Sequence, residues 1–190
     1  MTATLPSWPR SGEHLDDAEL ERLFRTYHVA LVRYLTRRLG DRDWAEEIAQ
    51  ETFLRALRQD TLTSERSWLF AVATNLVRDE ARKQERRRRH LELLAAEARQ
   101  DQTEPAIASI ERVHEAAMAR KAVEALAERD RLALLMKEEG LNYQEIADAL
   151  GLSVGSIGTT LARARRRLAE TYEALQAADR PRAGGSNGTS

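Results

Sequence analysis

The chain has no cysteine. That absence excludes a disulfide framework, a thiolate nucleophile and any cysteine-based zinc site. Metal chemistry would have to rest on histidine and carboxylates, but His14, His28, His90 and His114 stand far apart without ligand spacing and read as solvent-facing residues. No metal ion and no cofactor is expected. Long apolar runs are missing too: nothing approaches the roughly 18 apolar residues of a membrane span, and Met1 to Arg10 has no continuous apolar core. The expectation is a cytoplasmic protein with no direct membrane insertion. Aromatic residues make up only 5% of the chain, which argues against large sheets.

What is present is mainly leucine, alanine, arginine and glutamate. With 42% of residues hydrophobic and 32% charged, the composition is that of helices that each bury one stripe. A chain of 190 residues holds one mid-sized domain or two small ones, and this composition favours two. The expected fold class is all-α, with two small helical domains joined by a linker. Net charge is −1, yet the charge is segregated along the chain. Arg78, Arg82, Lys83, Arg86, Arg87, Arg88 and Arg89 crowd one stretch, and Arg163, Arg165, Arg166 and Arg167 occupy a segment from Gly151 to Leu168 without an acid. Between them, Glu92 to Glu115 carries Glu92, Glu97, Asp101, Glu104, Glu111 and Glu115 against Arg99 and Arg112, an acidic balance.

Residues 1–16 contain two prolines and little periodicity, and are expected to be a mobile leader. Leu20, Leu23, Phe24, Tyr27, Leu31, Tyr34, Leu35 and Leu39 then recur at three- and four-residue steps, which predicts a long first helix stopped by Gly40. Asp43 and Glu46 read as a capping-box-like start of a second helix, with Ile48, Ala49, Thr52, Phe53, Ala56 and Leu57 as its stripe. Gln59 to Ser64 is a polar loop, and Ser64 is placed to cap a third helix through Trp68, Val72 and Leu76 into the arginine run. Trp68 falls in register with Val72 and Leu76, which favours core packing over base stacking. The expected organisation is a first domain over 17–91, an acidic linker over 92–117 around Pro105, a second domain over 118–176, and a disordered tail over 177–190.

The strongest local signal is Tyr143-Gln-Glu-Ile-Ala-Asp-Ala-Leu-Gly-Leu-Ser-Val-Gly-Ser-Ile157, which reads as a helix-turn-helix. Ala147 is small where two crossing helices come closest, Gly151 permits a left-handed turn, and Ser153 caps the second helix. On that helix Ile157, Leu161, Ala164 and Leu168 share one side, while Ser156, Thr160, Arg163 and Arg167 share the other. A hydroxyl-bearing start followed by arginines suits a helix laid in a major groove. A plain helical hairpin is the alternative reading.

Two segments together resemble the extracytoplasmic-function group of bacterial sigma factors. One is Asp43-Trp-Ala-Glu-Glu-Ile-Ala-Gln-Glu-Thr-Phe-Leu-Arg55 with Ser67-Trp-Leu-Phe-Ala-Val-Ala-Thr-Asn75 and the arginine run; the other is the helix-turn-helix with Leu161-Ala-Arg-Ala-Arg-Arg-Arg-Leu168. The match in order and spacing extends over roughly residues 18–175. The resemblance implies a DNA-binding transcription-initiation factor without enzymatic activity or a small-molecule substrate. Its implied partners are core RNA polymerase (the largest-subunit coiled coil and the flap), promoter DNA and an anti-sigma factor. Carried over by position, Asp43, Glu46, Glu47, Gln50, Glu51 and Arg55 would dock on polymerase. Thr61, Thr63, Ser64, Asn75, Asp79, Arg82, Lys83 and Arg86 would meet the minus-ten element, where a flipped base needs a pocket and nearby cations. Val154, Gly155, Ser156, Thr159, Thr160, Arg163, Arg165 and Arg166 would meet the minus-thirty-five element. The linker would thread toward the active centre, its acidity imitating a nucleic-acid backbone.

One departure stands out. Where the family usually carries a basic residue, then serine, then arginine, this chain reads Gly158-Thr159-Thr160. Two cations are missing, so upstream DNA contact is expected to be weaker and to rest on Arg163, Arg165 and Arg166. Other readings of the same residues remain: the clustered carboxylates as a metal or acid/base site, a regulator whose N-terminal helices dimerise or bind an effector, or a pure interaction protein.

Overall fold

The computed structural model describes residue 15 and residues 17–59, 62–92 and 110–179, without the side chains of 17, 83–92 and 110–113. Seven α-helices run through these residues, and no strand occurs among them. They are α1 (Asp17–Leu39), α2 (Arg42–Ala56), α3 (Glu65–Glu92), α4 (Ile110–Glu124), α5 (Glu128–Glu138), α6 (Tyr143–Leu150) and α7 (Val154–Asp179).

The three- and four-residue spacing of Leu23, Leu31, Tyr34 and Leu35 puts them on one face of α1, and all four are fully buried. That face meets α2, where Ala45, Ala49 and Ala56 let the two axes approach and Ile48 and Phe53 fill the space between. The N-cap of α2 is Asp41, whose carboxylate accepts from the Trp44 N–H at 3.0 Å. The expected cap at Asp43 is therefore corrected: Asp43 lies inside the first turn, where its charge suits the helix dipole. α3 completes the three-helix unit with Trp68, Leu69, Phe70, Ala73 and Leu76 buried. Tyr34 is fully buried, tilts against the Phe70 ring at 5.1 Å between centroids, and meets the Thr74 hydroxyl at 2.7 Å. Phe24 departs from its expected place in the core; it is 42% exposed and stacks on His28. Leu15, expected in a mobile leader, is instead buried, and its N–H donates to the Gln59 carbonyl.

The C-terminal helices form the second unit. α4 begins at Ile110, inside the stretch expected to be linker, and α7 runs to Asp179, into the stretch expected to be tail. α4, α5 and α6 all pack on α7. The two units are docked: α3 lies on α6 and α1 on α5, and one apolar core joins Leu23, Leu69 and Leu76 to Leu132, Met136 and Ile146. Two linked modules were expected from the chain; a shared core between them was not.

Candidate nucleic-acid interface

The helix-turn-helix is built as its residues require. Asn142 caps α6 with a full capping box: its side chain accepts from the Glu145 N–H at 2.9 Å, and Glu145 accepts from the Asn142 N–H at 2.7 Å. Asn142 went unremarked in the sequence, although the pattern Asn-x-x-Glu ahead of an apolar run announces it. Gly151 ends α6 in the left-handed region (φ 65, ψ 41). The Leu152 N–H then closes on the Ala147 carbonyl, and Ala147 is 1% exposed. Ile157, Leu161 and Ala164 seat α7 with no exposure.

The outer face of α7 carries Val154, Gly155, Thr159, Arg165, Arg166 and Arg167, all exposed. Ser156 is half-buried; its hydroxyl donates to the Ser153 carbonyl at 2.7 Å, and that of Thr159 donates to the Ser156 carbonyl at 2.9 Å. With their protons committed to backbone, both hydroxyls present lone pairs outward, so they suit base-edge donors such as adenine N6 or cytosine N4. Thr160 does not lie on this face: it is 4% exposed, a correction to the expected arrangement. α7 is packed by three helices, so its buried arc is wider than one apolar stripe. Arg163 is also committed. Its Nε donates to Asp130 Oδ2 at 2.7 Å, Nη2 reaches the other oxygen, and the Asp130 side chain is 6% exposed. The hydrogen bond and charge of Asp130 raise the Arg163 pKa, holding the guanidinium more firmly protonated than usual. Arg163 thus sits in a structural fork; of the other exposed arginines near it, Arg166 and Arg167 stand 3.8 and 3.5 Å from Glu170, and Arg165 has no ion pair among the described residues.

On α3, Asn75 is half-buried and Asp79 and Arg82 are exposed, with Arg82 at 3.5 Å from Asp79. Thr63 is exposed and Ser64 half-buried at the start of the helix. Eleven residues of helix separate Ser64 from Asn75, about 16 Å along the axis. They mark two ends of one surface. Thr61 and the side chains of Lys83 and Arg86 lie outside the described residues, as do the linker residues Asp101 and Glu104.

The carboxylate face of α2 is present. Asp43, Glu47 and Gln50 are exposed; Glu46 pairs with His28 Nε2 at 3.0 Å, and Glu51 accepts from Arg55 Nε at 2.8 Å. Leu54, 53% exposed, shares the angular position of Asp43, Glu47 and Gln50, so an apolar residue sits within the acidic face. Sequence reading passed over Leu54 because the period alone does not distinguish a stray leucine from a docking one. No group of carboxylates and histidines that could hold a metal ion occurs among the described residues.

A helical module with an acidic outer face, followed by a helix-turn-helix, defines a two-part DNA-binding transcription protein. Comparison with known proteins gives the family. The model of sigma-70 region 2 matches residues 23–87, and that of sigma-70 region 4 matches residues 106–168. The ferric citrate uptake sigma factor FecI of Escherichia coli K12 is 32% identical over 150 residues, covering 76% of this chain and 85% of that protein. The RNA polymerase sigma factor YlaC of Bacillus subtilis is 30% identical over 158 residues, covering 78% and 89%. The fold resembles that of the sigma factor RpoE in complex with the anti-sigma factor NepR from Bartonella quintana, with TM-score 0.60 and 21% identity over 82% of this chain and 97% of that one. It also resembles CnrH in complex with the cytosolic domain of CnrY, with TM-score 0.58 and 23% identity over 86% and 91%. The chain belongs to the sigma-70 family of RNA polymerase sigma factors, in its extracytoplasmic-function group. It is a transcription-initiation factor.

Proposed function

We propose that this sigma factor binds core RNA polymerase through the acidic face of α2, reads the minus-ten element with the outer face of α3, and reads the minus-thirty-five element with the start of α7. The duplex opens at the nearer element. An anti-sigma factor holds the protein inactive by covering these surfaces, and the setting is the cytoplasm, consistent with the absence of any membrane-crossing helix among the described residues. The factor has no catalytic chemistry of its own; polymerase supplies it. The observation that carries the reading is that both family regions occur in one short chain, and each exposes a surface of the required sign.

The test is run-off transcription with purified core polymerase. The expected result is a promoter-dependent transcript with the intact chain. E46K, E47K and E51K combined should abolish association with core, since charge complementarity across such a face would become repulsion. Undiminished association of the triple variant would sink the docking assignment. Tight duplex binding without any transcript would favour a regulator instead.

A further inference from the structure

The seam between the two modules has an apolar centre and a rim whose charge runs one way. Across it, every ion pair among the described residues joins an arginine of α1 or α3 to an acid of the C-terminal unit. Glu139, at the end of α5, is the focus. Its side chain is 1% exposed, with Arg33 Nε and Nη2 at 3.0 and 2.7 Å from Oε2 and Arg37 Nη1 at 3.1 Å from Oε1. Arg66 lies across the following turn and donates to the main-chain carbonyls of Glu139 and Gly140. Gly140 adopts φ +85, and a Cβ there would stand 3.3 Å from Arg66 Nη2, so the turn is shaped to admit that guanidinium. A second contact lies further along: Arg78 Nε is 2.9 Å and Arg38 Nη2 3.5 Å from Glu128 Oε1.

A carboxylate withdrawn from water is tolerated only while its cations face it. Glu139 meets that condition in the docked arrangement and in no arrangement that parts the modules without letting water in. The docked arrangement also limits reach. A compact chain of this length has a radius of gyration of about 16 Å, so it measures roughly 40 Å across. The two promoter elements named above lie about 25 base pairs apart, or roughly 85 Å along the duplex. A docked chain does not span them.

We infer that Glu139 is the catch of an intrachain latch: Arg33 and Arg37 hold it to close the two modules on each other, and its release is a step on the way to holding both promoter elements at once. The inference rests on the proposed promoter-binding role for its consequence, but not for the closed state itself. Because the catch is ionic and rimmed by half-exposed arginines, closure weakens as salt rises.

The test uses the full chain labelled with a donor and an acceptor at R25C and K121C, two exposed positions on opposite modules; the lack of native cysteine makes the labelling selective. The labelled parent chain, with Glu139 intact, should show one high-transfer population at low salt. E139K should raise the ratio of open to closed molecules by about tenfold or more, with helicity by circular dichroism unchanged. E139R combined with R33E and R37E should restore high transfer, which a merely misfolded variant would not do. Core polymerase should associate with E139K faster than with the parent chain by a similar factor. A parent chain that is already open, or an E139K ratio that stays put with helicity intact, overturns the latch and leaves the sigma-factor reading untouched. Opening without faster association overturns the gating role. If no variant associates with core, the promoter-binding reading fails, while energy transfer still decides whether Glu139 closes the chain.

Discussion

Arg163→Ala and Arg165→Ala remove one positive charge each, two residues apart on the same helix, yet they should act differently on DNA binding. The guanidinium of Arg163 is forked onto a carboxylate that is 6% exposed, so the pair is locally neutral toward an approaching phosphate. Arg165 is exposed on the outer face, with no acid paired to it among the described residues. Each phosphate contact contributes about 0.9 to the slope of log affinity against log salt, so raising salt from about 50 to 200 mM costs roughly 3.5-fold in affinity per contact. R165A should flatten the salt dependence by about that amount, and R163A should run parallel to the parent protein. D130A should make the slope steeper, because it frees Arg163 without adding any group. Fluorescence anisotropy on a labelled duplex measures this, and a mixed sequence suffices because the phosphate contribution does not depend on sequence. If R163A flattens the salt dependence as much as R165A, the guanidinium leaves Asp130 for DNA and the fork is not a fixed part of the fold.

Other outcomes follow from the packing. Y34F deletes a buried hydroxyl pair with Thr74 and should cost about 1 kcal/mol, lowering the melting temperature by roughly 2–4 °C in a thermal scan. G158A should raise the melting temperature by a similar amount: Gly158 lies inside α7, a Cβ there would meet Tyr143 Cε2 at an ordinary 3.8 Å, and alanine gains about 1 kcal/mol of helix propensity over glycine. Acid should loosen the seam. Burial pushes the Glu128 carboxyl up, but the hydrogen bond and charge of Arg78, with Arg38 and Arg131, outweigh that and leave it below its ordinary value of 4.5. Glu128 therefore contributes in full above pH 4.5, and the contribution is lost as pH falls through the depressed value of the folded state. Energy transfer between the labelled modules, followed from about pH 6 to pH 3, should fall in that acid window and stay level above it.

The helices that bury one clean stripe were legible in the sequence. Leu23, Leu31, Tyr34 and Leu35 share one face because 3.6 residues make a turn, and that holds whatever the helix later packs against. Gly151 was legible for a similarly local reason, since a left-handed turn between two helices leaves little choice of residue. α7 was read less well. The period put Thr160 and Arg163 on the outer side, but the helix is packed by α4, α5 and α6, and periodicity does not say how many neighbours a helix has. Thr160 is consequently interior and Arg163 is held by Asp130, a residue 33 positions away.

By itself, then, the order of residues determined where the helices run, where the helix-turn-helix bends, which stretches carry each sign of charge, and to which family the chain is akin. These properties are local: they depend on residues a few positions apart. Tertiary structure alone decided that the two modules share a core and that Glu139 is buried under Arg33 and Arg37, partners 106 and 102 positions away. Contacts at such separation leave no periodic trace in the chain, because what selects them is the fit of two finished surfaces and the cost of leaving a carboxylate dry and unpaired.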